Sequence, residues 1–156
     1  MNPKKISLKK FTDKRGYLLE LLPKEFKKKF NYFIITKSKK NVLRGLHYDK
    51  NLQEEKLIFL LEGKILDVCV NLKKKDKNNM KYYNILKKGE CLYIPKVFAH
   101  GYKCIGENNV LIYFLSKFYN VNNNKGIYWN DETLKINWKI KNPIVSNKDN
   151  NLPNFE

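Results

Sequence analysis

From Lys56 onward the chain is a succession of short apolar runs separated by turn residues, and this rhythm limits the fold more than any other feature. The runs "KLIFLL" and "KILDVCVNL" flank the turn "EGK". Within the second, Leu66, Val68, Val70 and Leu72 alternate with Asp67, Cys69 and Asn71, the two-residue period of a strand. "YYNIL", the turn "KKGE", "CLYIP", "FAHGYKCI" and "VLIYFLSKFY" follow, at the spacing of about 8–12 residues expected of an all-β sandwich or barrel. An all-β barrel or jelly roll is the class this predicts. Only "PKEFKKKF" suggests a helix, a short one opening with Pro23. The C-terminal part, with Pro143 and Pro153 among many asparagines, reads as irregular chain packed over the barrel surface.

A chain of 156 residues suits one domain spanning residues 1–156 with a single core. Its 42% hydrophobic and 13% aromatic content belongs to a folded protein. No apolar run approaches the ~20 residues that span a bilayer, and "MNPKKISLKK" lacks the apolar segment of a signal peptide. The expectation is therefore a cytoplasmic protein with no membrane partner. Cys69, Cys91 and Cys104 are odd in number, form no CxxC and sit in apolar strand-like runs, which points to buried reduced thiols.

The net charge of +17 raises nucleic-acid binding. The lysines, however, are spread along the whole chain, and the runs Lys27 to Lys29 and Lys73 to Lys75 fall in loop-like stretches. A solvated lysine surface explains that pattern, and no nucleic-acid partner is expected. Against this background the two arginines, Arg15 and Arg44, stand out. A guanidinium offers a planar fork of donors that lysine cannot copy, so both are candidates for phosphate or carboxylate binding.

The two histidines each sit beside a glycine in a strand context, His47 in "RGLHY" and His100 in "FAHGY". Inward side chains of a small barrel converge on one cavity, so both are candidates to line it. Neither belongs to an HxH or HxxxH pair of the kind that gathers metal ligands from one element, and no metal site is expected.

In order along the chain, "FTDKRGYLLE", "RGLHY", "EEKLIFLLEGKILDVCVNL", "YIPKVFAHGY", "LIY" ahead of "FY", "GIYWND" and "PIVSNKD" resemble the motif series of the dTDP-4-keto-6-deoxysugar 3,5-epimerases. The resemblance covers nearly the whole chain. It implies a metal-free, cofactor-independent cupin-type jelly roll acting on a nucleoside-diphosphate-linked 4-keto sugar. A ketone at C4 acidifies the hydrogens at C3 and C5, so inversion needs a base, enolate stabilisation and an acid on the opposite face.

By this resemblance His47 is the base and Asp149 the carboxylate paired with its imidazole. Lys56 lies near the developing O4 enolate, and Tyr113 returns a proton from the other face. His100 and Asp67 form a supporting pair. Arg44 holds the diphosphate and Tyr119 stacks on the nucleotide base. Arg15, Phe11 and Glu20 match positions that reach the nucleotide from an adjacent subunit, which implies a homodimer exchanging N-terminal strands within about residues 1–35.

The chain also departs from the family pattern. Where thymidine-specific members carry "QDN", it has Tyr32, Phe33 and Ile34, and Glu54 and Phe114 replace a usual glutamine and lysine. Unmatched buried polar groups discriminate ligands strongly, so these changes argue against thymidine and make guanosine diphosphate the preferred carrier, with a hexose or heptose as the sugar. A 3,4-ketoisomerase on the same scaffold and a non-catalytic nucleotide-sugar binder are the competing functions, and epimerisation at C3 alone is a variant of the first.

Overall fold

The computed structural model describes residues 1–73 and 80–155. Lys74 and Lys75, the end of the second lysine run, lie outside them. The fold is an all-β jelly roll. Its strands are β1 (Lys4–Ile6), β2 (Lys9–Asp13), β3 (Gly16–Glu20), β4 (Tyr32–Lys39), β5 (Leu43–Asp49), β6 (Lys56–Glu62), β7 (Lys64–Asn71), β8 (Lys81–Lys87), β9 (Cys91–Ile94), β10 (Phe98–Cys104), β11 (Asn108–Leu115) and β12 (Asn124–Gly126).

Two five-stranded sheets face each other, ordered β1-β9-β6-β11-β4 and β12-β5-β10-β7-β8. β2 and β3 form a separate hairpin. Ile58, Leu60, Cys69, Leu92, Leu111 and Tyr113 belong to the apolar cluster between the sheets. Two further clusters coat the outer faces. Phe26 and Phe30 pack with Leu57, Phe59, Tyr93 and Phe114 on the first sheet. Leu134, Ile136 and Trp138 pack with Leu43, Leu66, Val68 and Val70 on the second.

Coverage on both faces explains why "KLIFLL" is a continuous apolar run: Leu57 and Phe59 point outward while Ile58 and Leu60 point inward. It also turns the alternation of β7 inside out. Leu66, Val68 and Val70 face the outer C-terminal segment, and Asp67 and Cys69 face the interior. The apolar face of a strand normally turns inward, but here a second apolar layer covers the outside. That layer is the C-terminal segment expected over the surface, fixed by the Trp138 indole N–H donating to the Trp129 carbonyl at 2.8 Å.

In place of the short helix expected from "PKEFKKKF" there is a single 3-10 turn, Lys24–Phe26. Eight residues cannot repay helix nucleation, and burial of Phe26 and Phe30, each contributing about 1.5–3 kcal/mol, decides the local path. One short helix, α1 (Asn147–Asn150), appears instead near the C-terminus. Among the described residues no helix is long and apolar enough to cross a membrane. Cys69, Cys91 and Cys104 are buried free thiols.

Candidate active site

The two histidine motifs are neighbours in space because their glycines let two backbones nearly touch. A Cβ on Gly45 would stand 2.6 Å from the Gly101 Cα, and one on Gly101 would stand 2.8 Å from the Arg44 carbonyl oxygen. The pairing of β5 with β10 matches His47 to His100 and Arg44 to Tyr102. Three steps along β5 therefore oppose two along β10, a bulge that inserts one extra residue. Arg44 and His47 are an odd number of residues apart and would face opposite sides of a regular strand. The bulge turns both toward the same cavity, which Tyr102 and His100 also line.

That cavity, of about 340 Å³, opens between the sheets. His47 stands on its wall with Nε2 2.8 Å from Asp149 Oδ1. Asp149 Oδ2 accepts the Gly45 N–H at 3.0 Å, and the Asp149 N–H donates to Ser146 Oγ at 3.1 Å, capping α1. "SNKD" thus folds as a helix start whose third helical residue aims its carboxylate at Gly45 and His47. Burial alone pushes the Asp149 carboxyl up, but the His47 hydrogen bond and charge and the Gly45 N–H outweigh it, leaving the group below its ordinary value. The carboxylate fixes the orientation of the imidazole ring.

A second pair lies deeper. His100 Nε2 is 2.5 Å from Asp67 Oδ2, and Cys69 Sγ donates to Asp67 Oδ1 at 3.2 Å. Asp67 is fully buried, so an apolar partner at position 100 would leave a carboxylate without compensation. The His100 ring meets that of Tyr113 edge-on at 6.2 Å. Burial, reinforced by Tyr102 and Asp67, pushes the Tyr113 phenol well above its ordinary value. It is held in the protonated form, as a proton donor requires.

Lys56 enters from β6 with Nζ 3.1 Å from Glu54 Oε2, and both side chains are largely shielded from solvent. Arg44 Nε donates to Ser38 Oγ at 3.1 Å. Toward the mouth, Lys117 stands 3.5 Å from Asp49, and Tyr119, Asn124 and Lys148 complete the rim. The result is a cavity with two histidine-carboxylate pairs and a phenol inside and cations from floor to rim.

Of the residues singled out in the sequence, the fold brings His47, Arg44, Lys56, His100, Tyr113, Tyr119 and Asp149 to this one cavity, with Asp67 directly behind His100. Arg15, Phe11 and Glu20 are elsewhere. They belong to the β2–β3 hairpin and its turn, where the Arg15 guanidinium pairs with Asp13 at 2.6 Å. Sequence reading passed over Thr36, Tyr102, Asp49, Lys117 and Lys148, which also line the cavity. Tyr102 and Lys148 had a usable signal: one stands two residues from His100 in a strand, the other beside Asp149.

A sequence model described as dTDP-4-dehydrorhamnose 3,5-epimerase matches residues 2–156. The dTDP-4-dehydrorhamnose 3,5-epimerase of Shigella flexneri is 32% identical over 158 residues, spanning 94% of this chain and 87% of that protein. A crystal structure of the Bacillus anthracis dTDP-4-dehydrorhamnose 3,5-epimerase, with TDP and PPi bound, superposes with a TM-score of 0.88 at 30% identity, covering 98% of this chain and 94% of that one. The Legionella pneumophila dTDP-6-deoxy-D-glucose-3,5-epimerase, in complex with dTDP-4-keto-L-rhamnose, superposes with a TM-score of 0.84 at 25% identity, covering 99% and 94%.

Proposed function

We propose that this chain, which belongs to the dTDP-4-dehydrorhamnose 3,5-epimerase family, is a cofactor-independent isomerase that epimerises a nucleoside-diphosphate-linked 4-keto-6-deoxysugar in deoxysugar synthesis. The observation that carries this is one cavity lined by a carboxylate-backed histidine, a buried tyrosine and a lysine.

In this reading His47 removes the proton at C3 or C5. With Nε2 engaged by Asp149, Nδ1 is the nitrogen left to accept it. Asp149 stabilises the imidazolium that forms, while Lys56 stabilises negative charge growing on O4. Tyr113 delivers a proton to the opposite face, and the enolate pair returns to carbon as the C4 carbonyl reforms. His100, held by Asp67, keeps the Tyr113 ring in place. Arg44 takes the diphosphate and Tyr119 stacks on the base.

Thymidine diphosphate is the nucleotide named for the relatives. A guanosine carrier is the second reading, favoured by the apolar Ile34 on the cavity wall. The test is proton NMR in deuterated water with the 4-keto-6-deoxysugars of both nucleotides. Loss of the C3 and C5 signals is expected, on the thymidine sugar, and His47→Asn should abolish it at both carbons. A variant retaining most of the exchange would remove His47 as the base.

The reading includes a homodimer completed by N-terminal strand exchange. Supporting it, every β2 residue is exposed, and Phe11, Tyr17, Leu18, Phe33 and Ile35 present large apolar surfaces to solvent, an unusual concentration for a lone subunit. Light scattering should return twice the chain mass, and a monomeric mass would exclude the exchanged assembly.

A further inference from the structure

The cations of the cavity are not equivalent. Arg44 is exposed on the cavity wall, and its Nε donates to a neutral group, Ser38 Oγ, at 3.1 Å. Among the described residues no carboxylate stands within ion-pair distance of it. Lys56 differs. Its Nζ lies 3.1 Å from Glu54 Oε2, and the two side chains are only 12% and 16% exposed. Both line the cavity.

The backbone between them is pinned. Glu55 donates its N–H to Ser116 Oγ at 2.8 Å and accepts the Ser116 N–H at 3.1 Å, while its carboxylate meets Lys29 beside Tyr93 on the outer face. Residues two apart on extended chain share a face, so Glu54 and Lys56 turn inward together.

A carboxylate this close opposes the positive charge that Lys56 brings to O4. It gains a use once the substrate is seen to carry two kinds of acceptor. The diphosphate is a multiply charged anion, which an unpaired ammonium in a shielded cavity attracts strongly. The C4 carbonyl is neutral and needs only a hydrogen bond. An ammonium has three N–H donors, so one given to Glu54 leaves others for O4. A paired Lys56 therefore donates to a carbonyl without competing with Arg44 for phosphate.

We propose that Glu54 is a specificity-determining residue: by offsetting the charge of Lys56 it excludes phosphate from the sugar end of the cavity, so that the diphosphate seats on Arg44 and the C4 carbonyl on Lys56. The proposal rests on the epimerase reading and adds what sets the direction in which the substrate lies.

The experiment measures binding of inorganic pyrophosphate by titration calorimetry to the full-length protein and to Glu54→Gln, the double variant Glu54→Gln/Lys56→Met, and Glu62→Gln. Glu54→Gln keeps the size of the side chain and an oxygen acceptor for the ammonium but removes the negative charge. It should bind pyrophosphate about tenfold to a hundredfold more tightly. Damage to the fold weakens binding, so a merely structural role does not produce this gain. The double variant removes both charges and should return to within about twofold of the unsubstituted protein. Glu62 is exposed at the far end of β6, and Glu62→Gln, with the same change in net charge, should also stay within about twofold. In deuterium exchange on the thymidine-diphosphate 4-keto-6-deoxysugar, pyrophosphate should inhibit Glu54→Gln at correspondingly lower concentration. Without pyrophosphate, its exchange at C3 and C5 should stay within about tenfold of the unsubstituted rate.

Unchanged or weaker pyrophosphate binding in Glu54→Gln overturns the proposal. So does a gain that persists in the double variant or appears equally in Glu62→Gln, because the charge then acts elsewhere than at Lys56. Loss of exchange in Glu54→Gln without added pyrophosphate makes the carboxylate part of the chemistry and overturns it too. Should Glu54→Gln fail to fold, Glu54→Ala takes its place with the same expectation for pyrophosphate. Absence of exchange in the unsubstituted protein refutes the function proposed above, whereas the pyrophosphate titrations still decide what Glu54 does.

Discussion

Replacing Gly45 by alanine tests whether the contact between the two histidine motifs shapes the site. Gly45 has φ +111°, and its new Cβ would meet the Gly101 Cα at 2.6 Å and the His100 carbonyl oxygen at 2.7 Å. Both neighbours are backbone, and β10 cannot retreat because it pairs with β7 at every position from Phe98 to Cys104. An L-residue at such a φ costs about 1–2 kcal/mol, and forcing packed backbone apart adds about 1–3 kcal/mol. Together these amount to about 2–5 kcal/mol, or a fall of about 4–20 °C in melting temperature for a domain of this size. Gly89→Ala isolates the first contribution, since Gly89 has φ +85° with nothing within 4 Å of its Cβ position, and should cost about 2–8 °C. Calorimetry on both variants gives the difference due to the close approach. Isotope exchange well below the transition should show Gly45→Ala slowed by about a hundredfold, the cost of displacing a base by ~1 Å. If Gly45→Ala melts no lower than Gly89→Ala, or exchanges at the unsubstituted rate, the close approach does not position His47.

Two further expectations follow from the titrating groups. Because Asp149 sits below its ordinary value in the folded chain, it contributes stability that is present above the unfolded pKa and lost as pH falls through the folded one. Denaturant titrations from about pH 5 downward should show a shallower loss in Asp149→Asn than in the unsubstituted protein, and parallel losses would contradict that linkage. Burial pushes the Cys91 thiol to about 12 and the Cys104 thiol to about 11, and Cys69 well above its ordinary value. An aromatic disulfide reagent at neutral pH should therefore label none of the three in the native protein and all three in guanidinium. One fast-reacting thiol would show that a strand run placed in the core is open.

Much of this architecture is written in local pattern. The apolar runs after Lys56 became β6 to β11 because alternation and turn residues report strands directly. The resemblance covers the same span, so "RGLH", "HGY" and "SNKD" could be read as one site before their distances were known. What stayed hidden depends on contacts between segments. The inversion of β7, with its apolar face outward, needs the C-terminal segment as a partner, and a strand's own pattern cannot say which face a distant segment will cover. The bulge that turns Arg44 and His47 to one side exists only as a mismatch between β5 and β10. Tyr102 was visible as a strand residue, but its link to Thr36 joins β10 to β4 across the two sheets. "PKEFKKKF" misled because its apolar spacing suits a short helix, whereas burial of Phe26 and Phe30 against the first sheet fixes its conformation.

The partnership of His47 with Asp149 spans 102 positions of the chain, and this sets an order of events during synthesis. A nascent polypeptide that has emerged through β11 already holds His47, Lys56 and Tyr113, yet the His47 imidazole has no carboxylate partner. Only when the ribosome has passed residue 149 and the outer segment has wrapped around the second sheet can Ser146 start its helix and swing the acid under Gly45. Under the proposed mechanism turnover therefore requires the completed wrap, and an interrupted translation product would carry most of the cavity without the His47–Asp149 pair.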